Sequence, residues 1–216
     1  MTVINDRPVR TPLGINGFAK LSNAPPEVLD RLTAYVTLLG QWNQRINLVS
    51  KNTMGDVWRR HILDSAQLYR FLPPRTQVVA DLGSGAGLPG LILAAMGVPQ
   101  MHLIESDQRK CVFMREAARV MGVSVTIHTK RIEQVSGFFA DVITARALAS
   151  LDQLIDISGQ IRKSDTVCLF LKGEGAADEL AEARQRWQMK SENLKSLSDN
   201  GATILKLESI QPLAAA

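Results

Sequence analysis

The chain is short of cysteine and histidine, has no long apolar run, and carries only a mild excess of one charge. Two cysteines, Cys111 and Cys168, occur in 216 residues, alongside three histidines. The cysteines are far apart and have no histidine neighbours, so zinc-ligand spacing is absent and no metal site is expected. Such usage excludes a disulfide-stapled scaffold and fits a reducing cytosol. No apolar stretch approaches the roughly 20 residues that cross a bilayer. The opening MTVINDRPVRTPLG lacks the apolar segment of a secretory signal. The formal net charge is +4, which permits a polyanionic partner without requiring one. Hydrophobic residues make up 45% and charged residues 21%, the balance of a globular chain that builds its own core.

Three stretches follow from the pattern. Residues 1–24 are polar and rich in proline and glycine and read as a flexible arm. Residues 25–74 read as a helical extension. Pro25-Pro26 opens a first helix, in which Val28, Leu29, Leu32, Tyr35, Val36, Leu39, Trp42 and Ile46 recur at helical spacing. Thr53 is a plausible cap for a second helix ending at Leu72 before Pro73-Pro74. From residue 75 to 216 short apolar runs alternate with helices, the pattern of a parallel sheet covered on both faces. Strands are expected at 77–82, 101–105, 125–128, 142–145 and 167–171. Helices are expected at 89–96, 109–121, 151–161 and 176–189. A hairpin around Asp199-Asn200-Gly201 closes the chain.

The most informative segment runs from Val78 to Gly90. A buried strand, Val78-Val79-Ala80-Asp81-Leu82, enters a turn with glycines at 83, 85, 87 and 90, and a helix follows. Glycine lets the backbone turn sharply and approach a ligand, while the helix start offers free N–H groups. Residues 85–90 also fit the dinucleotide pattern G-x-G-x-x-G. Yet the first glycine is Gly83, and Asp81 stands two residues before it, giving D-x-G-x-G-x-G. A carboxylate there suits a ligand carrying an ammonium group and would repel a pyrophosphate. The turn therefore favours an S-adenosylmethionine-dependent methyltransferase over a nicotinamide-dependent oxidoreductase. Glu105, ending the second strand, suits ribose hydroxyls in either class. Ile132 and Glu133, after the third strand, are candidates for adenine; Glu133 could equally start a surface helix.

The acceptor is narrowed by what is missing. Ala140 to Ala147 contains no [DN]-P-P-[YF] clamp for an exocyclic amino group. Neither cysteine sits in a Pro-Cys loop for attack on a pyrimidine ring. No plain Lys-Asp-Lys-Glu set for a ribose hydroxyl emerges. An acceptor that is already nucleophilic remains, such as the position-7 nitrogen of guanine. It needs alignment and no general base.

Several segments together resemble the bacterial glucose-inhibited division protein B family of small-subunit rRNA guanine-7 methyltransferases. They are Trp42-Asn43 with Asn47-Leu48, Arg60-His61-Ile62-Leu63-Asp64-Ser65, the turn Asp81 to Gly90, and Glu105-Ser106 with Arg109-Lys110. Arg131-Ile132-Glu133, Arg146-Ala147 and Leu171-Lys172-Gly173 complete the series. The resemblance implies a doubly wound, Rossmann-like class I methyltransferase sheet with an N-terminal helical extension. It also implies a cytoplasmic enzyme that methylates one guanine of 16S rRNA in the small ribosomal subunit. Gly83 and Leu88 would contact the methionine end of S-adenosylmethionine, and Ile132 and Glu133 its adenine; Asp81 and Gly85 of the same turn are further cofactor-binding candidates. Arg146 would sit where cofactor and substrate meet. Lys172 would orient RNA phosphate or the target base. Thr144-Ala145-Arg146 departs from the family's frequent Ser-Arg pair, and Glu105-Ser106 from its Asp-Ser.

Basic pairs could form an RNA-binding rim: Arg59-Arg60, Arg109-Lys110, Lys130-Arg131 and Arg162-Lys163, with Arg115 and Arg119. Each pair alone is ordinarily a solvated face. Location favours Arg109-Lys110 and Lys130-Arg131, which follow strand C-termini, the binding edge of doubly wound sheets. His61 and Asp64 stand at i and i+3 and read first as a structural pair, while Trp42 and Trp58 read as core. A monomer without membrane or DNA partners is expected. The competing readings are a methyltransferase for a small molecule or protein, and a non-catalytic ribosome-assembly factor.

Overall fold

The computed structural model describes residues 11–213. Seven strands form one sheet: β1 (Val78–Leu82), β2 (Gln100–Glu105), β3 (Thr126–Thr129), β4 (Ala140–Arg146), β5 (Arg162–Lys172), β6 (Trp187–Lys195) and β7 (Thr203–Pro212). Their spatial order is β3-β2-β1-β4-β5-β7-β6. The first five are parallel, and β7 returns antiparallel beside β5. Chain direction across the sheet reverses between β1 and β4, and a crevice opens there at the strands' C-terminal ends.

Helices cover both faces: α1 (Ile15–Ser22), α2 (Pro26–Trp42), the single turn α3 (Asp64–Ala66), α4 (Gly90–Ala95), α5 (Gln108–Met121), α6 (Leu151–Ile157) and α7 (Ala176–Ala183). Alternation along β1 sorts the core into two layers. Val79 joins Leu32, Leu91 and Phe113 under α2, α4 and α5. Its neighbour Ala80 joins Leu151, Leu154 and Leu180 under α6 and α7. Asp107 caps α5 by accepting from Arg109 N and Lys110 N, and Gly122 ends it in the left-handed region at φ 64°.

The structure departs from the sequence reading in four places. Residues 15–22, expected within a flexible arm, form α1 and bury Phe18 completely, with its ring 5.5 Å from that of Trp58. Residues 1–10 of that expectation lie outside the described part. The first long helix stops at Trp42 instead of reaching Ile46, because the Asn43 side chain accepts from Leu48 N and Val49 N and folds the chain into a turn. The second helix is not regular. A 3-10 stretch (Lys51–Asp56), a π stretch (Trp58–Leu63), α3 and a further 3-10 stretch (Gln67–Phe71) replace it. Thr53 is no N-cap; its hydroxyl donates to Ser50 O and meets the His61 ring. Finally, α7 ends at Ala183, and 187–195 join the sheet as β6. There Trp187 is nearly buried and donates to Asp152 at 2.8 Å. The connection to β7 runs over 196–202, longer than a two-residue Asn-Gly turn.

Trp42 packs at 5.6 Å from Phe113 and belongs to the core, as expected. Both cysteines are buried and free, and burial pushes the Cys168 thiol up to about 12. Among the described residues, no helix is long and apolar enough to cross a membrane.

Candidate functional site

The turn after β1 is built from left-handed glycines, with φ of 60° at Gly83, 57° at Gly85 and 77° at Gly87. Side-chain-bearing residues rarely adopt these angles. An added Cβ at Gly83 would also lie 2.5 Å from Leu148 Cδ1, so the exposed Leu148 side chain would have to move aside. The turn is tied on three sides. Ser84 exchanges backbone and hydroxyl hydrogen bonds with Ile104 on β2. Gly85 N donates to Glu105 Oε2 at 3.0 Å. The buried Tyr35 hydroxyl, from α2, donates to Ala86 O at 2.8 Å.

Asp81 is the fourth tie, and here the structure corrects the sequence reading. Its carboxylate is fully buried behind the turn and does not line the cavity. It accepts from Thr144 Oγ1 at 2.8 Å and from Gly90 N at 3.2 Å. Burial pushes its pKa up to about 6, against the opposing pull of those donors. Asp81 clamps β1, β4 and the start of α4 together, a role that needs no contact with a ligand's ammonium group.

Two cavities meet at this turn. The larger, about 780 Å³, is lined by Gly83, Gly85, Leu88, His61, Asp64 and Arg146, among others. The second, about 500 Å³, is lined by Glu105, Lys130, Arg131, Ile132 and Glu133. Gly83, Lys110, Ala147 and Ala149 are walls of both. The structure therefore brings Gly83, Gly85 and Leu88 of the expected methionine end into one space, without Asp81, and the expected ribose and adenine residues into the adjoining one. Glu105 accepts from Gly85 N and Asp107 N, which leaves part of its acceptor capacity for hydroxyl groups. Glycines that hold the backbone open beside paired cavities fit an elongated nucleoside–amino-acid cofactor such as S-adenosylmethionine. No group of histidine, cysteine or acidic residues suited to a metal occurs among the described residues.

Arg146, at the end of β4, is held from below by the irregular 51–71 segment. Its Nη1 lies 3.0 Å from His61 Nδ1, 3.4 Å from Arg60 O and 3.5 Å from Asp64 Oδ2. Asp64 in turn accepts from Ser198 Oγ at 2.5 Å. Burial raises the Asp64 pKa, while Ser198 and Arg146 oppose the rise. Burial, then the charges of Arg146 and Arg60, push the His61 pKa down to about 3, so its ring is neutral. His61 and Asp64 thus do more than brace a helix: both face the cavity and orient Arg146. The following residue, Ala147, is held in the left-handed region at φ 48°. Strained backbone of this kind concentrates at functional sites.

The basic rim is only partly realised. Lys172 lines the cavity, but its Nζ is spent on Glu179 Oε2 and Ala149 O, each at 2.6 Å. It stands as a buried brace and not as a cation available to RNA. Arg109 pairs with Asp107, and Arg119 with Glu116. Arg162 and Lys163 begin β5, at the sheet edge opposite the cavities, with Lys163 bound to Asp141. Lys110, Lys130 and Arg131 remain at the cavity walls. Sequence reasoning missed Ser198 and Asp199 of the loop before β7, which line the larger cavity, Asp199 meeting Arg60 at 2.5 Å. Their separation in sequence, over 130 residues from Arg60, gave no signal.

Residues 28–207 match the GidB family, rRNA small subunit methyltransferase G. This chain belongs to that family. The ribosomal RNA small subunit methyltransferase G of Rhodospirillum centenum is 51% identical over 186 residues, 86% of either chain. Its namesake in Paramagnetospirillum magneticum is 48% identical over 189 residues, 88% of this chain and 92% of its own. Among solved structures, a ribosomal protein L11 methylase from Lactobacillus delbrueckii subsp. bulgaricus superposes with a TM-score of 0.57 at 15% identity. The match covers 67% of this chain and 76% of that one. A TehB-like SAM-dependent methyltransferase from Corynebacterium glutamicum gives 0.53 at 14% identity, over 68% and 87% of the two chains. These two likenesses bear on the fold alone, the α/β sheet that this chain shares with both.

Proposed function

We propose that this GidB-family chain transfers a methyl group from S-adenosylmethionine to the position-7 nitrogen of a guanine in 16S rRNA. The observation that carries the reading is the pair of cavities meeting at Gly83 in a chain matched by this family over residues 28–207. When bound, S-adenosylmethionine supplies an electrophilic methyl group on a sulfonium sulfur.

The chain's own contribution is placement. Gly83, Gly85 and Leu88 hold the methionine end, Glu105 the ribose, and Ile132 with Glu133 the adenine. Arg146 has only Nη1 engaged among the described residues, so its remaining N–H groups serve a carboxylate or phosphate at the cofactor–substrate junction. The guanine nitrogen already holds a lone pair, so no side chain need take a proton. Neutral His61 and paired Lys172 avoid setting uncompensated charge beside a ring that becomes cationic. Catalysis then rests on alignment and on exclusion of water. We assign residues 25–74 as the extension that walls one side of the site, and 75–216 as the methyltransferase domain. The enzyme would act as a monomer in the cytoplasm, where its substrate is assembled.

The test is transfer of tritium from labelled S-adenosylmethionine into 16S rRNA or small-subunit particles, followed by digestion. Label should appear as 7-methylguanosine. Cofactor binding without transfer to either substrate would defeat the RNA part of this reading, and label in another nucleoside would defeat the choice of acceptor.

A further inference from the structure

The large cavity has a far wall that cofactor binding leaves without a task. Lys172, Gly173 and Glu174 after β5, Glu179 of α7, and Ser198 with Asp199 before β7 line it. Strand register fixes its place. Leu82 of β1 pairs with Ala145 of β4, and Arg146 of β4 with Leu171 of β5. Lys172 therefore starts two strands away from Gly83, about 10 Å at the usual strand spacing. Both residues line the one cavity, which spans that distance.

Four carboxylates line this cavity, Asp64, Glu174, Glu179 and Asp199, and their partners set them apart. Asp64 has one oxygen engaged by Ser198 Oγ and the other by Arg146. Asp199 is engaged likewise by Gly201 N and Arg60. Glu174 is exposed. Glu179 differs from all three. Its Oε2 accepts from Lys172 Nζ at 2.6 Å and from Leu151 N at 2.7 Å. Its Oε1 meets no donor among the described residues. Ser65 Oγ is the one buried side-chain nitrogen or oxygen there without a partner, so Oε1 is accessible and not sealed inside the protein. Lys172 is itself held by Ala149 O at 2.6 Å, with its side chain only 7% exposed. The carboxylate is thus anchored through one oxygen and offers the two lone pairs of the other.

We propose that Glu179 determines specificity for the acceptor base, its Oε1 accepting from the N1–H and the amino N–H of guanine, with Lys172 as the residue that positions it. The inference rests on the RNA reading above and deepens it. Guanine carries its position-7 nitrogen on a different edge from these two donors. A base held at the β5 wall by that edge turns its position-7 nitrogen away from Glu179, toward the cofactor end. Adenine has no proton on N1 and would set a lone pair against the carboxylate. As the methyl group transfers, the ring becomes cationic and its N1–H a stronger donor. The hydrogen bond to Oε1 then strengthens toward the transition state.

The test crosses an enzyme variant with a substrate variant. Glu179→Gln keeps an oxygen for Lys172 and Leu151 but turns an N–H₂ group toward the guanine donors. Inosine, which lacks only the 2-amino group, replaces the methylated guanine in the 16S rRNA of small-subunit particles. For the native protein kcat/KM should fall about tenfold from guanine to inosine. Glu179→Gln should lose at least as much on guanine, in kcat as well as kcat/KM, with affinity for S-adenosylhomocysteine unchanged. The variant should treat guanine and inosine alike within about twofold. Equal discrimination by the two proteins would overturn the proposal, by reducing Glu179 to a brace for α6. So would native-like activity of the variant on guanine, or a loss of S-adenosylhomocysteine affinity that matches its loss of activity. The native comparison needs no variant to fold: a native chain that methylates particles yet ignores the 2-amino group sinks the guanine contact alone. A native chain that never methylates rRNA takes the RNA reading down with it.

Discussion

His61 accepts a hydrogen bond on Nδ1 from Arg146, across 3.0 Å, and thereby carries its own proton on Nε2. That nitrogen lies 2.7 Å from Thr53 Oγ1, whose hydrogen goes to Ser50 O. Every hydrogen in the chain from Arg146 to Ser50 then has one acceptor. The neutral imidazole links the end of β4 to the turn that walls the large cavity. Protonation of His61 would set two donors, ring and guanidinium, against each other.

This arrangement has a pH signature. The His61 pKa is pushed from 6.5 down to about 3 in the folded chain, chiefly by burial. In the unfolded chain the ring gains a proton below its ordinary value, so the stabilisation is complete above about pH 6.5 and drains away as pH falls toward 3. Between pH 7 and 5 the loss is about 2 kcal/mol. His61→Gln has no titrating ring, so its urea-unfolding free energy should vary less over that range. Parallel pH profiles for the two proteins would remove His61 from the account.

Gly83→Asp should abolish binding of S-adenosylhomocysteine. The substitution meets an unfavourable φ of 60° and a Cβ position 2.5 Å from Leu148, and it puts a carboxylate between the two cavities. Isothermal titration should show at least a hundredfold weaker binding, which at about 1.4 kcal/mol per tenfold is within reach of that strain and repulsion. A variant that binds within a few-fold of the native chain would remove the turn from the cofactor site.

Tyr35 shows how the helical extension serves the site. Its hydroxyl is buried and donates to Ala86 O, inside the glycine turn. Tyr35→Phe leaves that carbonyl without its donor, at a cost of about 1–3 kcal/mol in unfolding free energy. Cofactor-product affinity should fall with it, because the turn loses one of its ties. A loss of stability with unaltered affinity would separate the extension from the turn.

The fold was legible because its main elements obey local rules. The buried run 78–82 and the proline start with helical spacing from Val28 to Leu39 mark their elements without help from the rest of the chain. The turn was legible for the same reason, since the left-handed backbone at positions 83, 85 and 87 favours glycine. Segment 51–71 was not, because its apolar residues recur at helical spacing while its hydrogen-bond pattern is set by distant partners. Gln67 and Asp64 reach Ser196 and Ser198, and no local pattern announces such a pairing. Lys172 misled for a similar reason: Glu179, seven residues on, takes its charge only once α7 packs beside β5. Asp81 misled differently, for a carboxylate before a glycine turn has the same sequence whether it faces the ligand or the protein.

Asp81 separates those two roles by experiment. Buried behind the turn, it accepts from Thr144 Oγ1 and Gly90 N. Asparagine has the same shape; its oxygen accepts from Gly90 N, and its N–H₂ donates to the Thr144 hydroxyl, which rotates to accept. Asp81→Asn should therefore fold and should keep its affinity for S-adenosylhomocysteine within a few-fold. Its stability should also change with pH in a defined sense. A buried carboxyl whose pKa is raised to about 6 favours the fold fully below about pH 4, and that contribution is lost as pH rises through 6. Between pH 4.5 and 7.5 the loss is about 2 kcal/mol, and the asparagine variant, with no proton to lose, should escape it. Thermal unfolding at pH 4.5 and 7.5, with titration calorimetry at the higher pH, measures both effects. A hundredfold loss of affinity in a folded Asp81→Asn protein would return the carboxylate to direct contact with the cofactor's ammonium group.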